Sequence, residues 1–272
     1  MSEELVVEST RASRHRNDKN RRRTTALGVT GEILITVGVL VQLFWLWNVG
    51  INDWIQGFTQ SQAASSMAQQ WQEEAGDGDA SDTQQTEDGG LSVYGAPVDG
   101  PPPVADVVSQ GTAFATLYAP RFGDTYQRVI AEGVDLATVL NDQRLGVGRY
   151  PQSTPLGEEG NFAIAGHRTS FGASFGNISE LRLGDRLYIE TREGWYSYQF
   201  RNLEYVWASE VDVLNPVPKQ DSVEVTDRLL TLTSCHPRFS DAERIIAYAV
   251  FDGWYPRAGG PPAEIANLVG VT

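Results

Sequence analysis

Leu229–Asp252 reads LLTLTSCHPRFSDAERIIAYAVFD: an apolar run closing on Cys235, a Pro-containing loop, and a second apolar run opening at Arg244. Leu, Ile, Thr and aromatic residues bounded by Pro, Ser and Asp are the pattern of two strands. If the strands pair antiparallel, the residue ending the first lies beside the residue starting the second. Cys235 and Arg244 are therefore expected side by side at one rim of a sheet. A guanidinium beside a thiol attracts its thiolate form and can also hydrogen-bond a substrate carbonyl or the oxyanion formed on attack.

Working outward, similar short runs occupy Thr112–Tyr118, Gln127–Ala131, Asn161–Ala165, Arg186–Thr191 and Trp195–Val206. Short helices are expected only around Leu136–Asn141 and Ser174–Leu181. Helical periodicity is absent over any long window, which argues against a bundle. The reading is a mainly β domain over residues 110–257, a closed or nearly closed barrel of seven to eight strands with short helices.

Upstream, Ile33–Ile51 runs ILITVGVLVQLFWLWNVGI without a charge. As a helix it would rise about 1.5 Å per residue and so match the hydrocarbon thickness of a bilayer. Trp45, Trp47 and Trp54 cluster at its far end, where indoles favour the headgroup boundary. Arg21, Arg22 and Arg23 precede it, so the positive-inside rule puts the N-terminus in the cytoplasm and the remainder outside. A cleaved signal peptide would have a shorter leader and a shorter apolar core. The expected organisation is a basic cytoplasmic arm (1–30), a single transmembrane signal anchor (31–52), a stalk and acidic, Pro-rich disordered linker (53–109), the barrel, and a flexible tail (258–272). Residues 53–74 can be helix or stalk, and residues 75–90 hold almost nothing apolar to bury.

The formal net charge is −14 and concentrates after the anchor, where thirty acids face fourteen bases. Phosphate binding needs a positive face, so an acidic body argues against nucleic acid, and none is expected as a partner. Cys235 is the single cysteine and can form no intramolecular disulfide. A lone exported thiol is either inert and buried or reactive. A reactive thiol needs a proton-transfer partner. His236 is its neighbour, and neighbours on extended backbone point to opposite faces. His167 ends another strand in NFAIAGHRTSFG and can reach the same rim. Arg238 competes with Arg244 for the clamp. Cys235, His236 and His167 lack further ligands, so no metal site is expected. The acids at 73–88 lack the spacing of a calcium loop.

The segments AGHRT (Ala165–Thr169) and TLTSC (Thr231–Cys235), with Arg244 nine residues on, resemble those of sortases. The order of His, Cys and Arg, the barrel-like strand pattern and the N-terminal anchor agree with that family. TLTSCHPRFSDAERII and GVGRYPQSTPLGEEGNFAIAGHRTSFG are most similar to class E sortases of actinobacteria. The resemblance covers about residues 110–256. Ser234 stands where Thr is common and keeps the hydroxyl; whether it assists an oxyanion or satisfies backbone is left open.

The resemblance implies a membrane-anchored cysteine transpeptidase. Cys235 would attack the Thr–Gly bond of an LAXTG- or LPXTG-like sorting signal, His167 would transfer protons, and Arg244 would clamp the substrate. An amine of a cell-wall precursor or pilin would release the thioacyl enzyme. No cofactor is implied, because thiolate attack on an amide needs none. Two alternatives remain. An L,D-transpeptidase carries His and Gly immediately before its cysteine, where this chain has Thr233 and Ser234. A non-catalytic surface scaffold would leave Cys235 unreactive.

Overall fold

The computed structural model describes residues 25–76 and 94–270. The Arg21–Arg23 cluster and most of the acidic 75–90 segment lie outside them. Helix α1 spans Ala26–Leu46 and has no buried residue. It is the one helix among the described residues long and apolar enough to cross a membrane. Its two threonines hide their hydroxyls in the helix: Thr30 and Thr36 donate to the carbonyls of Ala26 and Glu32 at 2.9 and 2.8 Å. A polar side chain with its hydrogen bond made internally is tolerable in hydrocarbon.

A π-helical turn, Trp47–Ile51, leads to helix α2, Asn52–Gly76. Eight strands follow: β1 (Ala113–Tyr118), β2 (Gln127–Glu132), β3 (Val147–Arg149), β4 (Gly160–Gly166), β5 (Arg186–Glu190), β6 (Gly194–Trp207), β7 (Arg228–His236) and β8 (Glu243–Pro256). They close into a barrel in the order β1-β2-β3-β4-β7-β8-β6-β5. The β2–β3 and β4–β7 pairs are parallel and the rest antiparallel. Closure removes the exposed strand edges that an open sheet would present. Inward side chains such as Leu117, Ile130, Phe162, Ile164, Tyr198, Leu230, Leu232 and Ala247 fill the interior. Each large aliphatic buried there contributes about 1.5–3 kcal/mol.

The barrel expectation holds, and the structure adds three details. Strand β3 has three residues and no apolar run, so alternation gave no sign of it. Residues 53–74, expected as helix or stalk, form helix α2, which packs on the barrel. Gln60, Ala64, Ala68 and Trp71, at helical spacing, bury one face of α2. The expected linker and tail are held as well. Val98 pairs with Trp254, and the Ala105 amide donates to Leu156. Ile265 and Val269 pack against Tyr118, Tyr188 and Trp195. Two or three apolar residues per segment suffice for docking, too few to register as an element in sequence.

Candidate active site

Strand β7 lies between β4 and β8, and this sandwiching builds the site. On one side Cys235 pairs with Arg244, Ser234 with Ile245, and His236 with Glu243. Residues directly opposite on antiparallel strands hold their Cβ atoms about 4.5–5.5 Å apart. The Arg244 Nη1 donates to the carbonyls of Asp241 and Glu243 at 2.8 and 2.9 Å. Among the described residues no carboxylate pairs with this guanidinium, so its charge is not neutralised beside the half-buried Cys235.

On the other side β4 runs parallel to β7, with Ala165 beside Thr233. One residue further, the Ser234 hydroxyl donates to the Gly166 carbonyl at 2.7 Å. That bond is buried and ties the two strands together one residue before Cys235 and His167. Its hydroxyl proton is thereby committed to backbone rather than to an oxyanion. His167 follows directly after β4, which runs beside β7 as far as the Ala165–Thr233 pair, two residues short of His167 and of Cys235.

The segment after His167 departs from any regular ladder. Ser170, Phe171 and Ala173 take positive φ values of 64°, 50° and 43°, with Gly172 at 82° between them. A side chain in this region costs about 1–2 kcal/mol per residue, so outside contacts must hold the loop. The His167 ring packs on Phe171 with centroids 5.1 Å apart, and its Nε2 lies 2.8 Å from Asn141 Oδ1. The His167 carbonyl accepts from the Phe175 amide at 2.9 Å. Burial holds the His167 pKa below the ordinary histidine value, and the Asp53 carboxylate on α2 opposes that shift.

Tyr150 completes the rim. Its hydroxyl lies 2.9 Å from Thr233 Oγ1, and burial raises its pKa, with Thr233 and Arg244 acting the other way. The residue before it, Arg149, makes a buried bidentate pair with Glu132 at 2.7 and 3.1 Å and donates to the Ser153 carbonyl at 2.7 Å. These bonds fix the turn that presents Tyr150.

Of the sequence candidates, the strand register gathers Cys235, Ser234, Arg244 and His167. It does not gather the others. His236 packs on Tyr205 at 4.4 Å and lies 4.0 Å from Glu243. Arg238 donates to the Gly176 carbonyl at 2.6 Å. Tyr150, Asn141 and Asp53 were not foreseen. Tyr150 stood in the quoted GVGRYPQS segment, whereas nothing local marked Asn141 or Asp53.

The closed barrel sets Cys235 opposite Arg244 on β8, with β7 running beside the strand that leads into His167. Residues 117–252 match the family model of the sortase domain, and the chain belongs to the sortase family. It is 32% identical to Sortase SrtE1 of Streptomyces coelicolor over 96% of its own length, and it spans 66% of that relative. Among solved structures, the SrtA sortase from Actinomyces oris aligns with a TM-score of 0.60 and 36% identity, over 65% of this chain and all of the other. Sortase E1 from Streptomyces coelicolor, solved with a tripeptide in its active site, aligns with a TM-score of 0.52 and 33% identity, over 58% and 99%. The sequence resemblance to class E is thus upheld by independent comparisons of sequence and fold.

Proposed function

We propose that this chain is a membrane-anchored cysteine transpeptidase acting on an LAXTG- or LPXTG-like sorting signal. The observation that carries the reading is the register of β7, which pairs Cys235 with Arg244 and runs beside the strand that leads into His167. The tripeptide in the related sortase E1 site supports a peptide as substrate.

In this mechanism the Cys235 thiolate attacks the carbonyl carbon of the Thr–Gly bond. Negative charge moves to the carbonyl oxygen, where the Arg244 guanidinium meets it. His167 as imidazolium protonates the departing glycine amine, and a thioester to Cys235 remains. An amine of a cell-wall precursor or pilin then attacks the thioester, loses its proton to His167, and displaces the thiolate. Atoms and charge balance without a cofactor. Ser234 acts as the tie that keeps the Cys-bearing and His-bearing strands level. Helix α1 serves as the anchor, with the Arg21–Arg23 side cytoplasmic and the barrel outside.

The test is incubation of the full chain in detergent with a quenched LAXTG-type peptide and a glycine-based amine. The expected result is Thr–Gly cleavage, an aminolysis product, and at short times a mass adduct mapped to Cys235. Cleavage that persists in Cys235→Ala, or a folded protein that forms no adduct with any sorting-type peptide, overturns the reading.

A further inference from the structure

The loop that carries His167 is held from outside the barrel. Gln60 of α2 is fully buried in the contact between helix and barrel. A buried amide must find hydrogen-bond partners, and those it finds are specific. Its Nε2 donates to the Phe171 carbonyl at 3.0 Å and more weakly to the Asp142 carbonyl at 3.4 Å. Its Oε1 accepts from the Ser174 hydroxyl at 3.3 Å. The two ring partners of His167 are Phe171 and Asn141. Gln60 therefore grips one of them directly and the residue next to the other.

Both loops are shaped around this side chain. Gly146 and Gly172 have φ of 79° and 82°, and a Cβ on either would sit 2.3 or 2.6 Å from Gln60 atoms. Two turns earlier on the helix, Asp53 accepts the Ser170 backbone N–H at 2.9 Å. The four left-handed residues after His167 thus have two of their backbone groups bound by α2.

We propose that Gln60 and Asp53 are positioning residues for His167, so that α2 is a working part of the catalytic site. The proposal rests on the assignment of His167 above. Both act through the loop and not on the reacting atoms. They fix the loop whose geometry sets where the imidazole stands, and a displacement near 1 Å at a proton-transfer group costs about 100-fold in rate.

The experiment measures kcat and KM of the full chain on a sorting-type peptide. Gln60→Ala is expected to lower kcat by about 10- to 100-fold with KM within about twofold. Asp53→Ala should lower kcat by a smaller factor, and Asp53→Asn, which keeps an acceptor for Ser170, should restore most of it. Gln72→Ala removes an α2 bond to the Val269 carbonyl, remote in the chain from the His167 loop, and should leave kcat unchanged. Should Gln60→Ala fail to fold, the half-buried Asp53 decides the matter. Wild-type kcat in folded Asp53→Ala together with wild-type kcat or misfolding in Gln60→Ala overturns the proposal. His167→Ala separates the two claims: if it keeps activity, the assignment of His167 fails, whatever α2 does.

Discussion

Strand β7 and the loop after His167 lie side by side, yet they are ordered by opposite means. Strand β7 sits in a continuous ladder, paired with β8 through Cys235 itself and with β4 as far as Thr233. The placement of the thiol and the guanidinium follows from backbone pairing that any strand-forming sequence would give. The loop from Ser170 to Ala173 has left-handed backbone and takes its order from a helix more than a hundred residues earlier. A rigid ladder thus holds the proposed nucleophile and clamp, and a loop held by remote contacts follows the proposed proton-transfer group. Local stability is lowest where few backbone bonds are regular, so disturbance of α2 should reach His167 before it reaches Cys235.

The largest effect that separates the two regions is expected from the ladder side. Arg244→Ala should lower kcat/KM by about 100- to 1,000-fold, as loss of an oxyanion donor does, while denaturant unfolding changes by under about 1 kcal/mol. A large stability loss would make Arg244 a structural residue. Ser234→Ala cuts the tie between the regions. It strands the buried Gly166 carbonyl and should cost about 1–3 kcal/mol in urea unfolding, with a fall in acylation rate. An unchanged unfolding midpoint would show that the regions are not coupled there. The smallest effect belongs to the loop side and is a matter of pH. The Asp53 carboxylate stabilises the imidazolium of His167, and burial destabilises it. The acid limb of kcat/KM should therefore fall below the ordinary histidine value. Asp53→Asn removes the negative charge and should move that limb further toward acid. A shift toward alkali would mean that Asp53 does not face His167.

The same contrast explains what could be read from sequence. Alternating apolar residues around Cys235 and Arg244 encode the β7–β8 pair directly, and the opposition of these two residues follows from antiparallel pairing across the short loop between them. His167 was legible as a strand end, and AGHRT and TLTSC supplied the family resemblance. Strand β3 has only Val147, Gly148 and Arg149, and it exists because parallel β2 and antiparallel β4 leave it a slot. Helix α2 showed no charge pattern or motif that pointed to the barrel. Gln60 becomes meaningful only against the Phe171 and Asp142 carbonyls, a contact made by folding. Ile265 and Val269 likewise read as an unpatterned tail until Tyr118 and Trp195 are brought beside them.

The central claim is that Cys235, His167 and Arg244 act as one site. Single-turnover acylation of Cys235 in His167→Ala, Arg244→Ala and the double variant tests it most directly. Groups that serve one transition state lose their effects together. The account predicts a double variant within a few-fold of the slower single variant. Losses that simply multiply would contradict it, because they would place the two side chains in independent roles.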